Sequence, residues 1–325
     1  MSLLGCGRGR APLSVLAFSL MVPAALHAQP WVFPQGEGSV SVAYQHIHVR
    51  DHLYSGGLRL DVGHIRTHST SIEADYGVTD RLSLSAGLPF IRARYSGRSP
   101  HTHADGRTLD DGSYHGGFQD LRLDARFRAM EFPIAVTPFA AFNVPTRDYE
   151  FFAHSAIGVG LREAQVGAYV GAARARFYVQ GRYSYAVPER VVGRRRTRSN
   201  IDAEVGWLAR PRIRVFAFQL RQISHDGVEI HPGFRGLTDE ERHHHDQLGR
   251  SRTVDVGGGV AVALTPSMDL VCGALTTLTG ANTHAAQYAL TVGASWSFGR
   301  SSVTSHHSAT ARSSRSARVP MSSSR

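Results

Sequence analysis

Lysine is absent from the 325 residues, so all 36 basic side chains are arginine. Cysteine is nearly absent too. Cys6 and Cys272 are the two present, and loss of an N-terminal leader leaves only Cys272, which excludes an internal disulfide. No long apolar run follows residue 28, which excludes a bundle of membrane-spanning helices. The mean hydropathy of −0.20 agrees, yet a hydrophobic share of 42% is too high for a chain disordered throughout. Gly-rich phosphate loops, zinc-finger spacings and paired cysteines are also missing, so no cofactor is expected. The net charge of +10 suggests nucleic acid until it is mapped. Arg8, Arg10 and five arginines beyond residue 299 supply seven of those charges with no acid beside them, leaving +3 on the intervening body. That is no footprint for nucleic acid.

The one apolar run lies at the start. Arg8 and Arg10 precede a Leu, Ala and Val-rich stretch ending in Leu26, His27 and Ala28 before Gln29 and Pro30. A basic start, a short apolar centre and a small residue at the cut predict a secretory signal over 1–28. Residues 300–325 are rich in Ser and Arg without apolar period and are expected to be a disordered tail.

Between these ends the sequence alternates with a period of two, the pattern of strands with one apolar and one polar face. At 38–46, Val40, Val42 and Tyr44 oppose Ser39, Ser41 and Gln45. At 68–78, Ile72, Ala74, Tyr76 and Val78 oppose Glu73 and Asp75. Near 120–128, Leu121, Leu123, Ala125 and Phe127 alternate with Asp120, Arg122, Asp124, Arg126 and Arg128. A face so charged fits a wet, ion-paired lumen and not a dry core. Further strands are expected near 82–90, 134–144, 162–172, 177–185, 200–207, 213–223, 252–264, 269–278 and 285–298. Both faces of the 213–223 segment carry bulky residues.

Links alternate in length. Those near 79–81, 129–133, 173–176, 209–212 and 265–268 are short, whereas those near 47–67, 91–117, 145–161, 188–198 and 224–251 are long. Short turns on one side and long loops on the other are expected of a transmembrane antiparallel β-barrel with both termini in the periplasm. The expected fold is therefore all-β, a barrel of about twelve strands over 29–299 in the outer membrane of a Gram-negative cell. An even strand count closes the sheet without a free edge.

The run YGVTDRLSLSAGLPF at 76–90 and, after a long loop, Gly117, Phe118, Gln119, Asp120 and Leu121 resemble a family of outer-membrane proteins linked to the meta-pathway of phenol degradation. Its members tend to show a Tyr-Gly, Thr-Asp-Arg, Leu, Leu-Pro-aromatic pattern and then a Gly-x-x-Asp strand start. The resemblance in layout covers 38–298 and implies an outer-membrane barrel; Gly-Phe-Gln-Asp here stands for the commoner Gly-x-Gly-Asp, and the family brings no catalytic set to transfer.

Glu73, Asp75, Asp120, Arg122, Asp124, Arg126, Arg182, Asp202 and Glu204 are the expected lumen constriction, a charged ladder that can orient a solute or simply pair internally. Of 18 histidines, all but His27, His306 and His307 fall in or beside the expected external loops. His46 with His48, His101 with His103, and His243, His244 and His245 are candidate metal ligands, against the plainer reading of solvated loops. Arg190, Arg194, Arg195, Arg196 and Arg198 form a basic external run able to meet lipopolysaccharide phosphates. Hydrolytic barrels need a His and a Ser two apart on a lipid-facing strand; none occurs in the barrel region, His68 and Thr70 being the nearest spacing, so no enzyme activity is expected. The expected function is a channel for passive uptake of small molecules, aromatic or apolar ones among them. The alternative is a pore-less structural or binding barrel whose His-rich loops capture metal ions or a surface partner. Expected partners are outer-membrane lipid, lipopolysaccharide, the solute, and the barrel-assembly machinery, for which a last strand ending on Phe298 is a recognition element.

Overall fold

The computed structural model describes residues 30–299 apart from Ser99, His103 and Ala104. The expected signal and the Ser/Arg tail lie outside the described residues. Alternating sequence becomes strand almost throughout: β1 (Gly38–Leu53), β2 (Arg59–Thr79), β3 (Leu82–Ser96), β4 (His115–Phe118), β5 (Asp120–Phe127), β6 (Ala135–Pro145), β7 (Glu163–Arg174), β8 (Phe177–Pro188), β9 (Arg198–Arg210), β10 (Ile213–Ser224), β11 (Arg252–Thr265), β12 (Met268–Ala281) and β13 (Thr283–Phe298). β4 and β5 are one strand broken at Gln119, both paired to β3. The barrel therefore has twelve antiparallel staves, each bonded to its neighbours in sequence. β1 and β13 close it, from Gly38 opposite Phe298 to Leu53 opposite Thr283.

Closure satisfies the backbone groups that an open sheet would leave in hydrocarbon. The side chains sort accordingly. Val40, Val42, Ile72, Leu123, Phe127, Phe142, Val166, Val179, Val205, Val292 and Trp296 are exposed on the outer wall, while Ser39, Ser41, Asp75, Asp124, Arg126, Gln180, Arg182, Asp202 and Glu204 are buried inside. This inverts a soluble protein, in which burial selects apolar residues and charged ones are almost never fully buried unless paired.

The links at 80–81, 128–134, 175–176, 211–212 and 266–267 gather at one end, here the turn end. The opposite loop end carries 97–114, 146–162, 189–197 and 225–251. One expected loop, 47–67, is shorter than its sequence suggests. β1 and β2 continue to Leu53 and from Arg59, so 47–67 is mostly a hairpin, and β12 and β13 meet around Asn282. The 21 residues of β2 reach roughly 70 Å at ~3.3 Å per residue, far more than a bilayer requires. Beyond the bilayer the outer face carries polar residues such as His48, His64 and Arg66, so the hydropathy alternation fades although the strand continues.

The 213–223 segment is also resolved. Phe216, Phe218 and Leu220 of β10 point inward and pack with Ala261 and Val271. Room for the rings comes from β11, where Gly259 and Gly257 face Phe216 and Phe218 in register. A Cβ on Gly257 would lie 2.4 Å from the Phe218 ring, and one on Gly259 would lie 2.6 Å from Phe216.

Candidate functional site

The interior has two unlike walls. From β2 to β9 it is charged. Arg126 is its hub: its Nε donates to Asp124 at 2.7 Å, and a terminal nitrogen reaches Asp75 and Ser85. Arg122 donates to the same Asp124 at 3.3 Å. Arg182 pairs with Asp202 at 2.8 Å, and Glu204 accepts from the Tyr178 hydroxyl at 2.6 Å and from Gln180 at 3.0 Å. The Arg126 and Arg182 guanidiniums also lie 5.8 and 5.9 Å from the centroids of Tyr169 and Phe139, within cation–π range. Glu73, Arg122, Asp124, Arg126 and Tyr169 line a small cleft in this wall. Asp120 stands apart, accepting at 2.5 Å from Tyr149 of the 146–162 loop. A second network, closer to the loop end, joins Glu163 to Arg198, Gln165 and Asn143. Opposite, β10 to β12 present an apolar cluster of Phe216, Phe218, Leu220, Ala261 and Val271, bounded by the buried Asp269 and by Asp255, which accepts from Thr277 at 2.7 Å.

Residues 30–37, which carry no periodic pattern, run inside the turn end. The Pro30 carbonyl accepts from Thr137 of β6, the Phe33 amide donates to Ser83 of β3 at 3.1 Å, and Gly36 donates to the Gly77 carbonyl of β2 at 2.9 Å. Gly77 is required there, since a Cβ would lie 2.1 Å from the Pro34 carbonyl oxygen. The segment spans the turn end from β1 towards β6, on the far side of the barrel.

Four loops gather into a cap over the loop end. Asp110 is buried and accepts from the backbone and Nδ1 of His101 at 2.9 and 3.0 Å, from the His154 amide at 3.2 Å, and from the amide and hydroxyl of Ser155 at 2.9 and 2.7 Å. Burial opposes its ionisation, but these bonds hold the carboxyl well below the usual range. Burial, with His101 and His284 beside it, pushes His154 down to about 3, so its ring is neutral at physiological pH. Leu109, Phe152 and Ala153 seal this part of the cap. Arg196, from the basic run, turns inward and donates at 3.0 Å to the carbonyls of Asp246 and Gly249. Arg194 pairs with Glu241 at 3.1 Å.

The histidines that adjoin in sequence do not share one site. His46 and His48 lie on the outer face of β1 in a rack with β2: His48 is 3.1 Å from His64, His46 stands over His68 with centroids 4.8 Å apart, and His68 bonds Tyr44 at 2.6 Å. Arg92 and Arg94 stack on Tyr114 beside it. His103 lies outside the described residues. His243 and His244 pack on Phe151 and Phe152. His101 and His245 meet, with centroids 5.6 Å apart, and are joined by His154 and His284, which no short-range spacing could have revealed. Ser199 and His225 also meet, at 2.8 Å, with Tyr185 stacked on the ring. Among the described residues no carboxylate orients that ring, as a hydrolytic triad requires.

No protein-family model matches this sequence, and no curated protein is similar to it. Among solved structures it is similar to the COG4313 outer membrane channel from Pseudomonas putida F1, with a TM-score of 0.65 and 16% identity over 86% of this chain and 100% of that one. The NanC porin gives a TM-score of 0.45 and 8% identity over 80% of this chain and 98% of that one. The CymD monoaromatic hydrocarbon channel gives 0.43 and 10% over 82% and 90%. At such identities the likeness concerns fold. With its closed sheet and apolar outer wall, the chain is an outer-membrane β-barrel of a Gram-negative bacterium, built on the architecture of an outer-membrane channel.

Proposed function

We propose that the barrel is a passive channel for small apolar or aromatic molecules. The observation that carries this reading is the two-walled lumen. An aromatic and aliphatic stripe of Phe216, Phe218, Leu220 and Val271 faces the charged ladder from Asp75 to Glu204, so a small ring can slide along one wall while its polar substituent meets the other. A uniformly charged lumen would offer an apolar solute nothing in exchange for water. The ladder of Glu73, Asp75, Arg122, Asp124, Arg126, Arg182, Asp202 and Glu204 orients the solute and limits its width. The chemistry is binding and diffusion, not catalysis.

In this reading the turn end and both termini face the periplasm and the loop end faces outward, after export on a signal cleaved behind Ala28. The outward rack of His46, His48, Arg92 and Arg94 meets lipopolysaccharide phosphates, and β13, ending on Phe298, is read by the assembly machinery. The test is flux into proteoliposomes of a small phenol against a sugar of similar size. The phenol is expected to enter faster, and Phe216→Ser with Phe218→Ser is expected to slow it by roughly two- to twelvefold, the equivalent of about 0.5–1.5 kcal/mol of ring contact. Equal entry into protein-free liposomes would sink the reading.

A further inference from the structure

We propose that the cap at the loop end holds one divalent transition-metal ion, of the zinc, copper or nickel class, on the imidazoles of His101, His154, His245 and His284. This goes beyond the channel reading and stands whether or not the barrel conducts.

The four rings come from four places in the chain: the 97–114 loop, the 146–162 loop, the short helix His245–Leu248 and the start of β13. The His101 and His154 centroids are 4.2 Å apart, those of His154 and His284 are 5.5 Å apart, and those of His101 and His245 are 5.6 Å apart. Metal–nitrogen bonds of about 2.0–2.1 Å place neighbouring imidazole centroids of a tetrahedral site roughly 5 Å apart. These three ring pairs thus stand near the separation coordination requires, and the ligand atoms of His101 and His154 already lie within 4.8 Å of each other; His245 and His284 close on the ion by side-chain rotation.

The second observation is where the ring nitrogens point. The His101 Nδ1 faces Asp110 at 3.0 Å, and the His245 Nδ1 faces the Arg242 carbonyl at 2.8 Å. At His101 this contact with an acceptor fixes the proton on Nδ1 and leaves the Nε2 lone pair free, whereas at His245 the Nε2 faces the Asp246 carboxylate at 3.5 Å, a contact that a bound ion would replace. Carboxylate or carbonyl behind an imidazole is the arrangement that orients metal-ligating histidines and raises their basicity. His154 Nδ1 and His284 Nε2 are buried with no hydrogen-bond partner, as is Nδ1 of the adjacent His52. Buried polar atoms normally find a partner, and several orphaned lone pairs in one cluster are what a cation would satisfy. His101 and His245 are 8% and 2% exposed.

The donor set fixes the ligand class. One carboxylate oxygen of Asp110 and one ring nitrogen each of His101 and His154 lie within 4.8 Å of one another, but the carboxylate already accepts five hydrogen bonds. It therefore acts as a positioning group behind His101, and the ligands are mainly nitrogen, with the Asp246 carboxylate beside His245 as an oxygen donor. Calcium and magnesium prefer oxygen and are excluded; neutral imidazoles suit zinc, copper and nickel. Once bound, the ion ties the three longest loops to β13 across the mouth of the barrel.

The test uses the full chain folded in detergent, stripped with chelator and titrated with zinc alone against a competing chromophoric chelator. One equivalent is expected to bind with micromolar affinity or tighter, and cobalt in its place is expected to give the visible absorption of a tetrahedral site. His101→Ala with His154→Ala should abolish both signals. Asp110→Asn should weaken binding roughly 10- to 100-fold. His46→Ala with His48→Ala, on the outer wall, should leave both unchanged. Heat-dependent gel mobility reports whether each variant still forms the barrel, and zinc protection of the Arg235 and Arg242 bonds from trypsin gives a second readout in the wild type. The proposal fails if wild type and the His101/His154 variant bind zinc alike, if the His46/His48 variant alone loses it, or if one equivalent is not reached at millimolar zinc.

Discussion

Arg126 joins two buried carboxylates, Asp124 on its own strand and Asp75 across β3 on β2, so its loss is felt through the partners it leaves behind. Arg126→Met removes the cation and strands Asp75 and Asp124 in a site shielded from water. It is expected to cost about 3–5 kcal/mol, read as a lower urea midpoint for unfolding in detergent. Adding Asp75→Asn and Asp124→Asn should recover most of the loss, because the penalty lies in uncompensated charge. Gly257 sets the opposite kind of limit. Gly257→Ala would drive a methyl group against Phe218 and the Ala274 carbonyl, and an overpacking cost of about 1–3 kcal/mol is expected in the same assay. The inward charges were legible from the alternation of Asp120 to Arg128, since a period of two assigns every residue to a face. The cap histidines were not. His101 and His154 are brought together by a shared carboxylate, Asp110, lying in a loop with no period to read, and His243, His244 and His245 were conspicuous in sequence although only the last turns inward.

Among the elements, the strands through the bilayer were legible because hydrocarbon demands an apolar residue at every second position. Where the demand stops, the signal stops. His48, Arg50, His64 and Arg66 continue β1 and β2 past the belt, but with polar residues on the outer face they read as loop. The segment before β1 was silent for another reason: residues 30–37 hold their place through backbone bonds to Ser83, Gly77 and Asp80, which leave no trace in composition. A chain lacking residues 30–36 should keep its barrel, because no stave is lost, and should show larger single-channel current steps in planar bilayers. Unchanged steps would mean that the segment does not narrow the path.

For the whole molecule, the inside-out distribution of polarity makes a prediction that no soluble protein shares. Val292 on β13 is about two-fifths exposed at 43%, a position where substitution in a water-soluble protein changes stability by no more than about 0.5 kcal/mol. With hydrocarbon outside, Val292→Arg is expected to cost about 2–4 kcal/mol, measured as reversible unfolding from lipid vesicles. A value near zero would mean that water touches that wall. The global architecture was the most legible level of all, because a dozen alternating segments and unequal link lengths point to the same closed sheet. What fills the cylinder was the least, because it depends on which side chains meet across strands far apart in the chain.

The pairing of Gly38 with Phe298 joins the first and last positions of the barrel. A polypeptide halted anywhere before Thr283 would leave β1 and its final completed strand both unzipped, two adhesive margins with no mate in the same molecule. Only the finished product can hide them, so the last sixteen residues of the sheet serve as the seam by which an intact copy is distinguished from every shorter one.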